Sequence, residues 1–251
     1  MRYTIPMALI LDMINVNYPG LEGALKDVSL EIASGEFVVL CAPPGSGKTT
    51  LIRSVCGLDP IASGEVWLEG VSLKEIAVKD RNFFLYSSAH AFDRVRGSVY
   101  KNLAKGLKLR KLTKSEIDIK IDNAAEVLGL SGMLKTNIKK LDTLNRFKVS
   151  LARALLRDVS VVFLDEPLLG VEEALHQPML DCVLALHKKL GVIFMYATME
   201  WNQAEYLNAR TALLHYGKLK QVGSVEALTQ NPADEYVAQF IKINASHPNL
   251  G

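Results

Sequence analysis

An α/β fold, a parallel sheet covered by helices, is the architecture this sequence predicts, on three observations. Short apolar runs at Ser160–Asp165, Val192–Thr198 and Thr211–His215 read as strands, the first two buried. Between them Leu175, Met179, Val183, Leu186 and Leu190 recur at helical spacing, and Lys188, Lys189 and Gly191 close that helix. Strand and helix therefore alternate, as in a parallel sheet with crossover helices. With 251 residues, 49% of them hydrophobic, the chain can bury a large core.

Taken in order, the first eighty residues read mainly as strands. Leu9–Val16 is a first strand. Val28, Leu30 and Ile32 alternate with Ser29 and Glu31, the period of a half-buried strand. Ser34-Gly35 forms a turn into the apolar strand Glu36–Ala42. Ser63-Gly64 opens a strand through Val66 and Leu68, and Gly70 ends it. Another strand is expected at Asn82–Leu85. The middle of the chain reads as helical. Thr113 and Glu116 form a capping box ahead of Ile117, Ile121, Ala124 and Leu128, with Gly129 as the stop. A helix from about Asn145 to Arg157 follows. After Val192–Thr198 come a shorter helix and the Thr211–His215 strand. Pro232 is expected in the first turn of a last helix holding Val237, Phe240 and Ile241.

Residues 42–50 read Ala-Pro-Pro-Gly-Ser-Gly-Lys-Thr-Thr, between an apolar strand and a helix whose core face is Leu51, Ile52 and Val55. Glycines there let successive backbone N–H groups turn to one centre, and the helix N-terminus adds positive potential, so Pro44, Gly45, Ser46 and Gly47 form a phosphate cradle. In such a P-loop Lys48 reaches the β- and γ-phosphates of ATP, Thr49 offers its hydroxyl to Mg²⁺, and Thr50 bonds an α-phosphate oxygen. Ala42 stands where the pattern has glycine, which is tolerable if its φ is negative. Downstream, Val161–Pro167 places Asp165 and Glu166 at a strand's carboxyl end, the edge where open α/β sheets bind ligands. Asp165 is the candidate Mg²⁺ ligand, and Glu166 the candidate group to polarise the attacking water. The bland alternatives are a glycine-rich turn that binds nothing and a strand ending in solvated acids.

Composition narrows the setting. A formal net charge of +2 argues against a dedicated nucleic-acid binder. Three widely spaced cysteines, Cys41, Cys56 and Cys182, suggest neither a zinc site nor a disulfide framework, which fits a reducing cytoplasm. His90, His176, His187, His215 and His247 show no metal spacing. No apolar run approaches the roughly 20 residues of a membrane span, and the N-terminus does not read as a signal peptide. Trp67, Trp201 and Cys41 read as packing residues, and Lys139-Lys140 and Lys108–Lys111 as solvated faces.

These motifs resemble the ATP-binding cassette (ABC) subunits of bacterial and archaeal importers, from about Leu9 to Ile241. Ser150–Leu155 resembles the helix after the family's signature. Gly57–Gly70 and Tyr216–Phe240 are further matches, the latter similar to importers of sugars and other small solutes. The resemblance implies a P-loop NTPase (RecA-like) core with an antiparallel β subdomain and a helical ABC subdomain. It implies one domain over residues 1–243, its helical part at about 87–157, and a tail at 244–251, without the extra C-terminal domain of some sugar importers. It places Tyr18 where the family stacks a ring on adenine, though Tyr18 also reads as an ordinary aromatic. It implies a second cassette as dimer partner, transmembrane permease subunits, and a cytoplasmic position at the inner face of the cell membrane.

Departures are expected to matter. The signature Leu-Ser-Gly-Gly-Gln is replaced by Leu141-Asp142-Thr143-Leu144-Asn145. Asp142 either faces the partner's γ-phosphate or caps the helix that follows. Two like charges ~4 Å apart cost about 4 kcal/mol at an effective dielectric of 20, so the first choice would oppose closure. Met199 replaces the switch histidine, Tyr86 or Ser87 the sensor glutamine, and Glu172 an aspartate. Three functions stay open: an ATP-hydrolysing importer subunit, a hydrolysis-poor regulatory half of an asymmetric dimer, and an ABC protein unconnected to transport.

Overall fold

The computed structural model describes residues 7–88, 96–108, 110 and 112–245. His90, His247, residues 89–95 and the tail beyond 245 lie outside them.

The first half runs β1 (Met7–Tyr18), β2 (Leu21–Ala33), β3 (Phe37–Cys41), α1 (Lys48–Cys56), β4 (Ser63–Leu68), β5 (Val71–Ser72) and β6 (Phe83–Ser87). Helices α2 (Val99–Lys108), α3 (Lys114–Val127) and α4 (Thr143–Leu155) follow, then β7 (Val161–Asp165) and α5 (His176–Leu190). The chain continues through β8 (Ile193–Thr198), α6 (Trp201–Leu207), β9 (Arg210–His215), β10 (Lys218–Gly223), α7 (Val225–Gln230) and α8 (Glu235–Ala245).

The chain divides into two compact units. The first comprises Met1–Leu85, Ser160–Pro167 and Gly191–Gly251. It holds a four-stranded antiparallel sheet, order β2-β1-β4-β5, and a second sheet of order β10-β9-β3-β8-β7-β6. In the second, β3 runs parallel to β8 and β9, and β7 runs parallel to β8. Strands β3, β7 and β8 are buried along their whole lengths, which is why they read as continuous apolar runs. Strand β2 instead alternates, with Val28, Leu30 and Ile32 inside and Ser29 and Glu31 outside. Leu51, Ile52 and Val55 of α1 join one core with Leu9, Leu11, Leu40, Phe163 and Met195. Each such side chain contributes about 1.5–3 kcal/mol on burial.

Register decides where chemistry can happen. Cys41 pairs with Thr198, and Asp165 with Ala197. The residues that follow β3, β7 and β8 therefore leave the sheet at one edge. These are the loop from Ala42, Glu166 and Met199.

The second unit comprises Tyr86–Val159 and Leu168–Leu190. The Thr113 side chain accepts from the Glu116 N–H while Glu116 reaches back to Thr113, so α3 opens on the predicted capping box. Phe147 of α4 is fully buried and meets Tyr86 edge-on at 5.2 Å. Met179, Leu180, Val183 and Leu186 form the buried stripe of α5.

Two boundaries differ from expectation. Helix α4 runs Thr143–Leu155 rather than from Asn145 to Arg157, because Asp142 is its N-cap. Pro232 does not lie in the first turn of the last helix. That helix starts at Glu235, and Asp234 caps it, Oδ1 accepting the Val237 N–H at 2.9 Å, a bond proline cannot supply. Trp201 and Cys41 are fully buried, and Trp201 Nε1 donates to Glu205 at 2.9 Å.

Candidate functional site

The loop between β3 and α1 is shaped by its glycines. Gly45 has φ 75° and Gly47 φ 101°, both left-handed, while Ala42 is absent from the positive-φ residues and is fully buried. Glycine at position 42 is therefore not needed. A Cβ on Gly47 would lie 2.8 Å from Leu25 Cδ2 and 2.9 Å from the Ala24 carbonyl oxygen. A Cβ on Gly45 would meet nothing within 4 Å. Packing demands the second glycine, and open space lies beside the first. The Ser46 N–H donates to Pro43 O at 3.3 Å, and Ser46 O accepts the Gly217 N–H at 3.0 Å, which ties the loop to the β9–β10 turn. Pro44 and Gly45 are exposed. The first turn of α1 supplies N–H groups that no helix can satisfy internally, and they carry the positive end of its dipole.

Lys48 is 5% exposed, yet its ammonium is fully occupied. It donates to the carbonyls of Ala42 and Pro43, the latter at 3.1 Å, and pairs with Glu166 Oε1 at 3.0 Å. The Thr49 hydroxyl sits 3.0 and 3.1 Å from the two oxygens of Asp165, itself 4% exposed. A hydroxyl and a carboxylate converging this way are the hard oxygen donors Mg²⁺ prefers. The open face at Gly45 and this oxygen pair fit a magnesium-bound phosphate chain.

Glu166 has φ 47°, a conformation costing a non-glycine residue about 1–3 kcal/mol. Its N–H donates to Ala197 O at 3.0 Å, and its Oε2 accepts the Met199 N–H at 3.2 Å. Burial pushes its carboxyl up, against the pull of Lys48 and the Met199 amide. A carboxylate with a raised pKa is a better proton acceptor near neutral pH. Burial also drives the neighbouring Cys41 thiol up to about 12, so it stays protonated and inert.

Tyr18 ends β1, half-buried, with its hydroxyl donating to Asp59 Oδ2 at 2.7 Å and lying 3.4 Å from Thr50 Oγ1. Arg53 of α1 clamps both Asp59 oxygens at 2.8 Å and holds that carboxyl below the usual range. Tyr18 and Thr50 are thus brought together beside the loop. Sequence reasoning missed Asp59, Arg53 and the Met199 amide. The first two stand at a spacing a capped helix end could have suggested, since Leu58 and Asp59 both donate back to Arg53 O. A main-chain donor leaves no mark in sequence.

Residues 25–169 match the family profile described as ABC transporter. The chain belongs to the ABC transporter family. Among curated relatives, this ABC protein is 35% identical over 224 residues to the oligosaccharides import ATP-binding protein MsmX of Bacillus subtilis, covering 89% of the chain and 61% of the relative. It is 33% identical over 233 residues to the trehalose import ATP-binding protein SugC of Mycobacterium tuberculosis, covering 93% and 59%. The chain thus spans about three fifths of these relatives' lengths. Its fold matches that of cbiO1 from Clostridium perfringens, part of the ABC transporter complex cbiONQ, with a TM-score of 0.82 at 21% identity over 96% of both chains.

The departures from the family's motifs take a definite form. Asp142 is the cap of α4, Oδ1 accepting the Asn145 N–H at 2.7 Å and Oδ2 the Asn145 side-chain amide at 2.8 Å. Met199 is half-buried after β8. Tyr86 is a buried residue of β6, its hydroxyl pushed up to about 12 by burial. Glu172 is exposed, its carbonyl accepting from the Leu175 N–H at 2.9 Å. Among the described residues no helix is long and apolar enough to cross a membrane.

Proposed function

We propose that this chain is the ATP-binding and ATP-hydrolysing subunit of an ABC transporter of the small-solute importer type, working at the cytoplasmic face of the membrane. The observation that carries the reading is the convergence of Lys48, Thr49, Asp165 and Glu166 at one sheet edge. In it, the amides of Gly45–Thr49 and the Lys48 ammonium bind the phosphates of ATP, and Pro44 and Ser46 hold the loop's turn. Thr50 takes an α-phosphate oxygen, and Tyr18 stacks on adenine, its edge fixed by Asp59. Thr49 and Asp165 hold Mg²⁺, which neutralises charge on the phosphate chain. Glu166 accepts the proton of the water that attacks the γ-phosphorus, as the bond from that phosphorus to the β–γ bridging oxygen breaks and ADP and phosphate leave.

The relatives' printed names, import ATP-binding proteins for oligosaccharides and trehalose, support a sugar-like solute and permease subunits as partners. A second cassette, identical or related, completes the pair. The near-neutral charge supports no nucleic-acid partner. The regulatory-half reading drew on Asp142, Met199 and the missing sensor glutamine, in whose place Tyr86 or Ser87 stands. Both oxygens of Asp142 are engaged by the α4 cap and Met199 still contacts Glu166 through its main chain, so neither of these two departures favours it.

Equilibrium binding of ATP with Mg²⁺, by calorimetry, tests the assignment. Lys48→Ala should abolish measurable binding. Asp165→Asn should weaken binding with Mg²⁺ far more than binding in EDTA. Unchanged affinity in Lys48→Ala would sink it.

A further inference from the structure

We infer that Met199 serves this site through its main-chain N–H, which positions the Glu166 carboxylate, and that buried Gln203 is the group that aims it. The inference rests on Glu166 being the proton acceptor.

Glu166 is tied twice to the end of β8. Its own N–H goes to Ala197 O at 3.0 Å, and its Oε2 receives the Met199 N–H at 3.2 Å. Its other oxygen, Oε1, takes Lys48 at 3.0 Å. These two donors are not equivalent. Lys48 divides its ammonium between Ala42 O, Pro43 O and Glu166, on a flexible four-carbon stem. The Met199 amide is a single donor fixed in the backbone. It can hold one carboxylate oxygen whichever way the lysine turns, leaving Oε1 for another partner.

What fixes that amide is a closed set of polar groups behind it. The Thr198 hydroxyl and the Tyr196 hydroxyl both donate to Gln203 Oε1, at 2.9 and 2.7 Å. Gln203 Nε2 donates to Glu200 Oε2 at 2.7 Å, and the Glu200 N–H returns to Thr198 Oγ1 at 3.1 Å. Thr198 O accepts the Ala42 N–H at 3.1 Å, which anchors the same turn to the start of the phosphate loop. Gln203 is 2% exposed, Thr198 1% and Tyr196 fully buried. A buried network of this kind is costly to break at any one member, so it holds the three residues Thr198–Glu200 in one arrangement. Within that arrangement the residue after Thr198 needs only a main-chain N–H to reach Glu166. A methionine side chain serves there as well as any that leaves the backbone unchanged.

Residue-resolved amide hydrogen exchange of the full chain tests this apart from catalysis. The Met199 amide should be protected in the native protein, and its protection should fall about tenfold or more in Glu166→Ala and in Gln203→Leu. Exchange at Met199 that is the same in Glu166→Ala as in the native chain overturns the proposal, and that comparison stands even if Gln203→Leu fails to fold. Steady-state ATP turnover supplies the second arm. Gln203→Leu should lower kcat about tenfold with KM for ATP within about twofold. The double variant Gln203→Glu with Glu200→Gln, which exchanges donor and acceptor across the same contact, should recover most of the loss. A raised KM at unchanged kcat, or no recovery in a folded double variant, also overturns it. A native chain without turnover would refute the hydrolytic reading, while the exchange comparison would still decide whether Met199 holds Glu166.

Discussion

Gly45 and Gly47 share a left-handed backbone but differ in what surrounds them, and substitution should separate the two. Gly47→Ala places a methyl 2.8 Å from Leu25 Cδ2 and 2.9 Å from Ala24 O, so it should lower stability by about 2 kcal/mol or more in a thermal melt. Gly45→Ala meets no atom within 4 Å, so its stability cost should stay near the ~1 kcal/mol of the backbone conformation. Its methyl nevertheless occupies the face proposed for phosphate, and ATP affinity should fall sharply. Asp59 gives a pH-dependent prediction. Its carboxyl is held low, first by Arg53, so its stabilisation is fully present above the unfolded carboxylate range of about 3.9 and is lost as pH falls through the lower folded value. Asp59→Asn should therefore lower the melting temperature at pH 7, and the gap from the native chain should close progressively below about pH 4. At this scale the sequence displays what side chains announce. Lys48, Thr49, Asp165 and Glu166 are recognisable because their spacing to a strand and a helix is fixed by backbone geometry. The Met199 amide and the Tyr18–Asp59 contact are not, because one is main chain and the other joins residues brought together only by the sheets.

Helix α4 shows how an apparent defect at a motif becomes a structural part. Asp142 satisfies the Asn145 N–H, one of the orphan donors of the first turn, so Asp142→Ala should destabilise the chain by about 1 kcal/mol. Asp142→Ser, which retains a capping oxygen and resembles the family's own residue, should restore most of that; thermal melts of the two variants make the comparison. Elements with strong period or local chemistry were legible: the alternating β2, the buried runs of β7 and β8, and the boxed start of α3. Helix α2 was not read, although Val99, Leu103, Ala104 and Leu107 are its buried positions, because Gly106 and the lysines Lys101, Lys105 and Lys108 blur the pattern. Strand β10 was missed for a different reason. Its residues Lys218–Gly223 are exposed or half-buried throughout, and only pairing with β9 makes them a strand.

Across the whole molecule, the proposed pairing with a second cassette predicts a nucleotide-dependent change of mass. Glu166→Gln with ATP and Mg²⁺ should run as a dimer by light scattering, and Lys48→Ala should stay monomeric under the same conditions. The ABC resemblance was legible over nearly the whole chain because its motifs sit on the elements that make the fold, and the match over residues 25–169 bears out that recognition. The solute was not legible, because the residues the sequence singles out belong to the proposed nucleotide site and to the core. The central claim is that Glu166, held at the edge of the sheet beside Lys48, makes this chain an ATP hydrolase. The most direct test is phosphate release from ATP with Mg²⁺ by the purified native chain and by Glu166→Gln. Turnover in the native chain that falls about 10²-fold or more in Glu166→Gln, with ATP still bound, is the predicted result. Equal turnover in the two would contradict it.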